Sequence, residues 1–376
     1  MVFNPDELQG RRLALQVLGD SEEDRERWLK ERMSGLGASD VAAVFPEIDG
    51  YCSPYTLWCI KTGKVDAEDA DNEYTFWGRK LERAIIEGYA ERTGRAAVPF
   101  GLLVRNPRWP WLSCTPDGFT TDYEEARKKE PELVRAIAAL RRACKDGRTP
   151  ARALIDAFEV LLEGWWPVQT KNVGAFMTSD WVNGAPAHYR VQCQQEAMLL
   201  GCGRTTAAAL TGGNKLIYED IALDPVDEER IVNLSRRFWF EHVEADVPPP
   251  VDASESTENT LKRRWPSSVE VAPEKIRVLS WERLAEADEI ERIKAECKAL
   301  DERRTLLENR AREEIAELEC AVLPDGSGYA LKTVYTREQL ITKKAGSYRT
   351  LRRTWPKAKP ARAKKSTSTT KEEAAE

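Results

Sequence analysis

One aspartate and one polar pair constrain this chain more than any other feature. Asp117 lies in a Pro-Asp-Gly turn after a short apolar stretch at 111–115, which we predict to be a strand. Gln169 and Lys171 lie 52 and 54 residues after Asp117, in a second predicted strand that begins at Trp165. Because side chains alternate along a strand, Gln169 and Lys171 point to the same face. An edge strand with one solvated face would also carry such a pair, so the pattern needs further support.

The length of the chain favours one large domain with an extension. Its 376 residues are 41% hydrophobic and include 12 tryptophans, which is ample for a packed core. No run of about 18 apolar residues occurs, so we expect no membrane span. The first 30 residues are charged and lack the apolar region of a signal peptide, so we expect a cytoplasmic protein. The net charge of -6 does not by itself indicate a nucleic-acid partner.

The cysteines and histidines argue against zinc and against nucleophilic catalysis. The eight Cys form no C-x-x-C pair and only two His occur, so we expect no structural zinc site. We expect the thiols to be reduced, small core residues. Neither His188 nor His242 lies near a nucleophile elbow, and no P-loop occurs. The glycine pair at 212–213 is typical of a hairpin turn.

Composition divides the chain into a large α/β region with polar segments on either side. Changes of periodicity, proline runs and charge set the boundaries. We predict a helical N-terminal segment at 1–32, an α/β domain at 33–246 with a helical insert at about 124–163, a linker at 247–279, a long helix with a small C-terminal region at 280–355, and a basic, disordered tail at 356–376.

The predicted long helix carries a narrow apolar stripe. The stripe runs from Ile290 to Leu318 at coiled-coil spacing and is broken by Arg304, which suits an exposed arm or one half of a helical hairpin. Downstream, residues 343–365 contain ten Lys or Arg and no acidic residue. That stretch could contact phosphates or could be a solvated tail, and the sequence leaves both open.

Two carboxylates lie where they could hold a divalent cation. Asp117 follows a predicted strand, and the glycine after it tolerates positive φ and lets a metal or phosphate approach closely. Glu82 lies on a predicted amphipathic helix at 76–93 and could reach the same cation from above the sheet. Mg²⁺ prefers oxygen ligands and keeps several waters, so two or three protein groups suffice. Otherwise Asp117 is an ordinary turn residue and Glu82 part of a solvated helix face.

Further polar residues could bind phosphate. Ser39 follows a glycine-rich turn and could present its hydroxyl to a phosphate, or cap the helix that follows it. Tyr189 and Gln192 are three apart on a predicted helix at 188–201 and share one face, with Gln194 close by. Phenol and amide groups can hold phosphate or water without adding charge. A helix whose polar side simply meets solvent would show the same pattern.

The order of these motifs resembles one family. The motifs are Gly-Leu-Gly-Ala-Ser-Asp ending at Asp40, Trp-Gly-Arg-Lys-Leu-Glu ending at Glu82, Pro-Asp-Gly at Asp117, Gln169-x-Lys171 and Tyr189-x-x-Gln192-x-Gln194. Together they resemble the YqaJ-like viral recombinase and lambda exonuclease family, within the PD-(D/E)XK nuclease superfamily. The resemblance covers about residues 33–245, over half of the chain.

The resemblance implies an α/β fold of the PD-(D/E)XK, restriction-endonuclease-like kind. Such a fold has a mixed central sheet flanked by helices, here with a helical insert and a C-terminal helical extension. The implied activity is Mg²⁺-dependent digestion of double-stranded DNA from its ends, 5′ to 3′, in phage-type recombination, with Mn²⁺ able to substitute. The implied partner is a single-strand annealing protein, some members form a ring trimer around DNA, and a phage-encoded member would work in the host cytoplasm.

The resemblance also implies a role for each motif residue. In the implied catalytic set, the metal is held by Glu82, Asp117 and Gln169. The attacking water is oriented by Lys171. The implied DNA and phosphate contacts are Ser39, Tyr189, Gln192 and Gln194.

The chain departs from the family pattern in two ways. The first is the helical insert between Asp117 and Gln169, where such a connection is usually a short hairpin. The second is Gln169 itself, where the family has Glu. A Gln carbonyl still binds Mg²⁺, but losing one unit charge beside a divalent ion costs a few kcal/mol at an effective dielectric near 20. Metal affinity is then expected to fall by about 10² or more.

Three explanations of Gln169 stay open. It is an engineered replacement of Glu, or it is natural and Glu159 or Glu163 from the insert supplies the missing carboxylate. The third explanation is a naturally inactive fold. The alternative function is therefore a catalytically inactive module that binds DNA ends or docks a recombination partner. A nuclease inhibited by a partner bound to the arm at 280–320 is a further hypothesis.

Overall fold

The computed structural model describes residues 14–48, 52–66, 73–267, 277–318 and 320–330. It divides into two compact units, Met1–Arg264 and Trp265–Glu376. The predicted tail at 356–376 and the basic stretch at 343–365 lie outside the described residues. Among the described residues, no helix combines the length and apolar character needed to cross a membrane.

The first unit is built from short strands and longer helices. Its strands are β1 (Gln16–Asp20), β2 (Leu36–Gly37), β3 (Ala96–Pro99), β4 (Leu102–Arg105), β5 (Leu112–Ser113), β6 (Gly118–Thr121), β7 (Trp166–Val173), β8 (Arg204–Thr211) and β9 (Lys215–Ala222). Its helices are α1 (Arg25–Arg32), α2 (Pro54–Lys61), α3 (Glu73–Thr93), α4 (Glu124–Lys128), α5 (Glu130–Lys145), α6 (Arg152–Leu161), α7 (Ala187–Leu199), α8 (Pro225–Phe238) and α9 (Glu255–Arg264).

The central sheet is mixed, as predicted. Its strand order is β3-β6-β7-β8-β9, in which β7 and β8 run parallel and the other neighbours run antiparallel. Gly118 on β6 pairs with Val168 on β7. Asp117, directly before β6, therefore lies beside Gln169, in the middle of β7. The Pro-Asp-Gly segment therefore leads into β6 rather than closing the strand before it.

Helices cover both faces of this sheet. Ile85 and Tyr89 of α3 pack against Val168 and Ala208 on one face. On the other face, Cys193 of α7 packs with the alanines on either side of Ala208. Because Gln169 alternates with Val168 along β7, Gln169 and Lys171 face the α7 side. The small side chains of β8 let both helices approach closely, and the approach of α7 brings its polar side chains to β7.

The predicted helical insert is confirmed as α4, α5 and α6, between β6 and β7. It belongs to the main core of the unit. Phe158 of α6 stacks on Phe100 with ring centroids 5.3 Å apart and meets Phe119 of β6 edge-on. Leu133 and Leu140 of α5 are fully buried in the same cluster. The insert thus contributes apolar side chains that the sheet needs for its own burial.

Three parts of the sequence interpretation are wrong in detail. The N-terminal segment at 1–32 was predicted to be helical, but Gln16–Asp20 forms strand β1, which pairs antiparallel with β4. The apolar run at 97–104 by itself predicts one strand, but Gly101, with φ of 68°, divides it into β3 and β4. On either side of this turn, β3 pairs with β6 and β4 pairs with β1.

The third error concerns the predicted linker at 247–279, which contains helix α9. The hydroxyl of Thr257 on α9 bonds the Ser53 hydroxyl at 2.7 Å, and the Thr260 hydroxyl bonds that of Thr56 at 2.8 Å. Thr257 and Thr260 are buried. A segment rich in Ser and Thr is predicted to be a loop from its composition alone. Here the hydroxyl groups pair with each other and pack α9 against α2.

The second unit contains the predicted long helix. Helix α10 (Trp281–Ile315) starts at Ser280, whose side chain accepts a hydrogen bond from the Arg283 backbone N–H. Most side chains of the apolar stripe, such as Ile293 and Leu300, are exposed, whereas Ile315 at the end of the helix is buried. Strands β10 (Cys320–Val322) and β11 (Gly328–Ala330) pair antiparallel after it. Cys297 and Cys320 are exposed free thiols, so the expectation that all thiols are core residues is wrong for these two.

Gly118 is required for a close approach of strands, not for an unusual φ. A Cβ at Gly118 would lie 2.6 Å from the Val98 carbonyl oxygen and 3.1 Å from Ile86 Cδ1, and its φ is not positive. We therefore expect Gly118→Ala to lower the free energy of unfolding by about 2 kcal/mol, as overpacking does. Urea unfolding monitored by tryptophan fluorescence measures this change.

Gly88→Ala is the matched control for Gly118→Ala. Gly88 lies in α3, and a Cβ there would meet nothing within 4 Å. The control is expected to stabilise the protein by about 0.5–1 kcal/mol, because alanine loses less backbone entropy in a helix. Equal urea midpoints for the parent and Gly118→Ala would show that the strands do not approach this closely.

Candidate active site

Asp117 is held by three donors from the neighbouring strand. Its Oδ2 accepts hydrogen bonds from Gln169 Nε2 at 2.8 Å, from the Thr170 backbone N–H at 2.6 Å and from Thr170 Oγ1 at 2.7 Å. The pairing of β6 with β7 creates this geometry, because it sets Asp117 beside Gln169 and Thr170. All three bonds converge on one oxygen, so Oδ1 is left for another ligand. Thr170 was not singled out from the sequence, although it lies between the two motif residues.

Gln169 is buried and only half satisfied. Its side-chain nitrogen donates to Asp117, whereas its Oε1 is buried and has no hydrogen-bond partner among the described residues. Buried polar atoms are nearly always paired in proteins, so an unpaired acceptor needs an explanation. A cation or an ordered water bound to Oε1 would satisfy it.

Lys171 is positioned by two residues of α7. Its Nζ donates to Gln192 Oε1 at 3.2 Å and lies 4.9 Å from the ring centroid of Tyr189. Tyr189 and Gln192 are one helical turn apart, so they reach the same lysine from one helix face. The structure thus brings together Lys171, Tyr189 and Gln192.

The carboxyl group of Glu82 interacts electrostatically with that of Asp117. Burial, followed by the charge of Asp117, raises the pKa of Glu82 to about 9. Burial also raises the pKa of Asp117 above its ordinary value, although Lys171 and the Thr170 hydrogen bonds act against this rise. Because the charge of Asp117 disfavours a second negative charge on Glu82, a proton or a cation would stabilise the pair.

These residues fit a divalent cation, with one charge fewer than a three-carboxylate site. Among the described residues, no group of three or more His, Cys, Asp or Glu side chains is arranged to hold a metal ion. The oxygen donors present are those of Glu82 and Asp117 and the unpaired Oε1 of Gln169. Oxygen donors suit Mg²⁺, which accepts few protein ligands because it retains waters.

Glu196 is a site residue that sequence reasoning missed. It is 0% exposed, and its Oε1 accepts a hydrogen bond from Gln192 Nε2 at 3.0 Å. Burial, followed by the charge of Asp117, raises the pKa of Glu196 to about 8. The available signal was its spacing, because Glu196 lies four residues after Gln192 and therefore on the same helix face. We had interpreted such polar residues as contacts to DNA or to solvent, whereas this stretch of α7 is buried.

Gln194 is not brought to the site. Its Nε2 donates to the Ala222 carbonyl at 2.9 Å, and its Oε1 accepts from the Asp224 backbone N–H at 3.0 Å. Both ends of the amide thus bind the backbone between β9 and α8. Gln194 points away from Gln192 because residues two apart on a helix do not share a face.

Ser39 lies beside an arginine. It is exposed, and Arg32 Nη2 donates to its Oγ at 3.0 Å and to Asp40 Oδ1 at 3.1 Å. Lys61 Nζ contacts the other Asp40 oxygen at 2.8 Å. Although burial alone would raise it, the pKa of Asp40 lies at about 2 because Lys61 and Arg32 stabilise the carboxylate. Asp40 thereby holds the cationic group of Arg32 next to the exposed Ser39 hydroxyl.

Glu159 of the insert does not supply the missing carboxylate. Oε1 of Glu159 accepts hydrogen bonds from the Leu15 backbone N–H at 2.6 Å and from Arg152 Nη2 at 2.8 Å. Glu163 is exposed between α6 and β7, before the start of the strand that carries Gln169. The hypothesis that Glu159 replaces the carboxylate at position 169 is therefore wrong, because packing of the insert directs its side chain to Leu15 and Arg152.

Comparisons with known proteins agree with the motif order. A family model described as the YqaJ-like viral recombinase domain matches residues 27–206. The uncharacterized protein YqaJ of Bacillus subtilis (strain 168) is 24% identical over 249 residues, which cover 65% of this chain and 65% of that protein. The match thus spans less than two thirds of the length of that relative.

Solved structures show a more distant similarity. Crystal structures of LHK-Exo, an alkaline exonuclease from Laribacter hongkongensis, have been determined alone and with dAMP. Each aligns with a TM-score of 0.41 and 16% identity, covering 59% of this chain and 94% of that chain. Residues 27–206, just under half of the chain, thus match the YqaJ-like viral recombinase domain, the family that the ordered motifs also resemble.

Proposed function

We propose that this chain is a Mg²⁺-dependent exonuclease of double-stranded DNA, acting 5′ to 3′ in phage-type recombination, with activity weakened by Gln169. The observation that carries the proposal is the cluster of Glu82, Asp117, Gln169 and Lys171, in which two carboxyl groups and an unpaired buried oxygen adjoin an ammonium group. The match of residues 27–206 to a viral recombinase domain supports the recombination context.

The proposed chemistry divides among the residues of the cluster. Mg²⁺, or Mn²⁺ in its place, would be held by Glu82, Asp117 and Gln169 Oε1, and would polarise the phosphate and acidify a bound water. Thr170 keeps Asp117 in one orientation through two hydrogen bonds. Lys171 places an ammonium group where it orients the attacking water or offsets charge on the phosphate.

The proposed DNA contacts lie on α7, in the turn that follows β2 and at the end of α1. Tyr189 and Gln192 flank Lys171 and would line the path of the strand that is cut. Ser39 and Arg32 together offer a hydroxyl and a guanidinium, a pair suited to a phosphate oxygen. By analogy with the family, we further propose that the chain acts with a single-strand annealing protein and forms a ring trimer around DNA.

The second candidate function is a DNA-end-binding module without catalysis. The observation that favours it is the hydrogen bond from Gln169 to Asp117, which partly satisfies that carboxylate without any cation. A site stabilised in this way binds metal more weakly than one with a carboxylate at the same position.

Digestion of labelled linear duplexes by the unaltered chain distinguishes these functions. We expect slow, Mg²⁺- or Mn²⁺-dependent loss of a 5′ label from linear DNA, no loss in EDTA, and no cutting of a covalently closed circle. Cutting of the closed circle would contradict an exonuclease. Retained binding of linear ends with no cutting by this chain or by Gln169→Glu would establish the binding module instead.

A further inference from the structure

Glu196 is a buried carboxyl group that the proposed chemistry does not use. It is fully buried, and its Oε2 has no hydrogen-bond partner among the described residues. Fully buried Glu residues are rare unless they are paired, because removing a carboxyl group from water is costly. A helix that needed only packing at this position would carry an apolar residue, as it does one position later at Ala197.

A chain of two hydrogen bonds connects Glu196 to Lys171. Lys171 Nζ donates to Gln192 Oε1 at 3.2 Å, and Gln192 Nε2 donates to Glu196 Oε1 at 3.0 Å. The two ends of the Gln192 amide thus make opposite kinds of contact. Its oxygen faces an ammonium group and its nitrogen faces a carboxyl oxygen.

This arrangement permits only one orientation of the amide. If the Gln192 amide turned over, its NH₂ would face the ammonium group of Lys171, and its oxygen would face the oxygen of Glu196. The Lys171 contact would be repulsive because an ammonium group is donor only, and the amide could no longer donate to the Glu196 Oε1 acceptor. Glu196 therefore keeps the acceptor end of Gln192 directed at Lys171.

We propose that Glu196 is a positioning residue of the candidate active site: it orients the Gln192 amide, which in turn holds the Lys171 ammonium group beside Asp117 and Gln169. The catalytic value of this positioning rests on the proposed function, but the geometry of Lys171 does not. A purely structural Glu196 would only anchor α7, and its loss would affect stability without acting through Gln192.

The reactivity of the Lys171 amine tests this proposal independently of DNA cleavage. The full-length chain is treated with trace acetic anhydride in the absence of metal, and acetylation of Lys171 is measured by mass spectrometry relative to exposed Lys128 in the same molecule. A lysine held in a hydrogen bond reacts slowly. We expect Glu196→Met to raise the relative rate at least about threefold, since a hydrogen bond to a charged group is lost.

Two comparisons establish that Glu196 acts through Gln192. Gln192→Met is expected to raise Lys171 acetylation as much as Glu196→Met, and the double variant no further, because the two residues form one chain of bonds. Glu196→Gln keeps an acceptor oxygen and a similar volume, so it is expected to react almost as slowly as the parent. If Glu196→Met does not fold, Glu196→Leu, which also removes both acceptor oxygens, takes its place.

Gln195→Met is the control for general loosening of α7. Gln195 is fully buried, and its amide donates to the Leu36 and Ser113 carbonyls rather than toward Lys171. It is expected to lower the unfolding temperature and leave Lys171 acetylation unchanged. Equal acetylation in Glu196→Met and the parent, additive effects in the double variant, or an equal rise in Gln195→Met would each overturn the positioning role.

Cleavage measurements then separate this inference from the proposed function. If DNA is digested, Glu196→Met is expected to lower the single-turnover rate about tenfold, with Gln192→Met and the double variant alike. If no variant cuts DNA but the acetylation pattern holds, the positioning role stands and the proposed nuclease activity fails.

Discussion

Replacing Gln169 by Glu is expected to raise Mg²⁺-dependent digestion of linear duplex DNA by about 10²-fold, since a unit charge beside a divalent ion is worth a few kcal/mol. The substitution is nearly isosteric, and it places a carboxylate oxygen where the structure has the buried, unpaired Oε1 of Gln169. Single-turnover release of a 5′ label, compared between the parent chain and Gln169→Glu, measures the gain.

The same substitution is expected to destabilise the metal-free protein. Gln169 Nε2 now donates to Asp117 Oδ2 at 2.8 Å, and a Glu would instead place a second carboxyl group there. We expect metal-free Gln169→Glu to lose about 2 kcal/mol of unfolding free energy and to regain it when Mg²⁺ binds. Thermal unfolding with and without Mg²⁺ measures both changes.

Asn172→Asp is the control for Gln169→Glu. Asn172 lies on the same strand and is exposed on the opposite face, so its replacement adds a carboxylate away from Asp117. It is expected to change neither digestion nor the response to Mg²⁺. If Gln169→Glu gains Mg²⁺-dependent stability but digests no faster, the metal site is correctly assigned and the catalytic role of Lys171 is not. A variant without either gain would refute a metal site at Gln169.

Asp117→Asn is expected to lower digestion by about a thousandfold or more, because an ion of this kind contributes several kcal/mol to phosphate cleavage. The reason is the orientation that β7 imposes. Gln169 Nε2 and two donors of Thr170 converge on Oδ2, so an Asn at this position turns its carbonyl oxygen toward them. Its NH₂ then occupies the place of Oδ1 and presents a donor to the cation.

The Asp117→Asn effect is best measured in the Gln169→Glu background, where the reference rate is higher. Mn²⁺ binding measured by calorimetry should be lost together with digestion. Asp220→Asn is the matched control, because Asp220 lies in the same sheet and bonds Arg95 and the Thr206 hydroxyl instead. Unchanged Mn²⁺ affinity in Asp117→Asn would contradict its role as a ligand, whatever the rate.

Much of the site followed from local rules. Strand alternation predicted that Gln169 and Lys171 share a face, and helical spacing predicted that Tyr189 and Gln192 share a helix face, from which both contact Lys171. The mixed sheet and the helical insert followed from periodicity and from the ordered motifs. These features depend on neighbours within a few residues or on the order of segments along the chain.

Other features depended on contacts that no local pattern encodes. Gln194 and Glu196 both look like surface residues of a polar helix, but packing of α7 on β7 and β8 buries both, one against the Ala222 carbonyl and the other against Gln192. Likewise, the local sequence around Thr257 and Thr260 predicts a linker. Only packing beside α2 gives their hydroxyl groups hydrogen-bond partners.

The sequence by itself thus determined the motif residues, their order and the face of each element on which they lie. Only the tertiary structure decided that Asp117 receives three donors from β7, that Glu159 is bound within the insert, and that Glu196 lies behind Lys171. The physical reason is that periodicity sets the direction of a side chain within its own helix or strand. The partner it meets depends on how elements distant in the chain pack together.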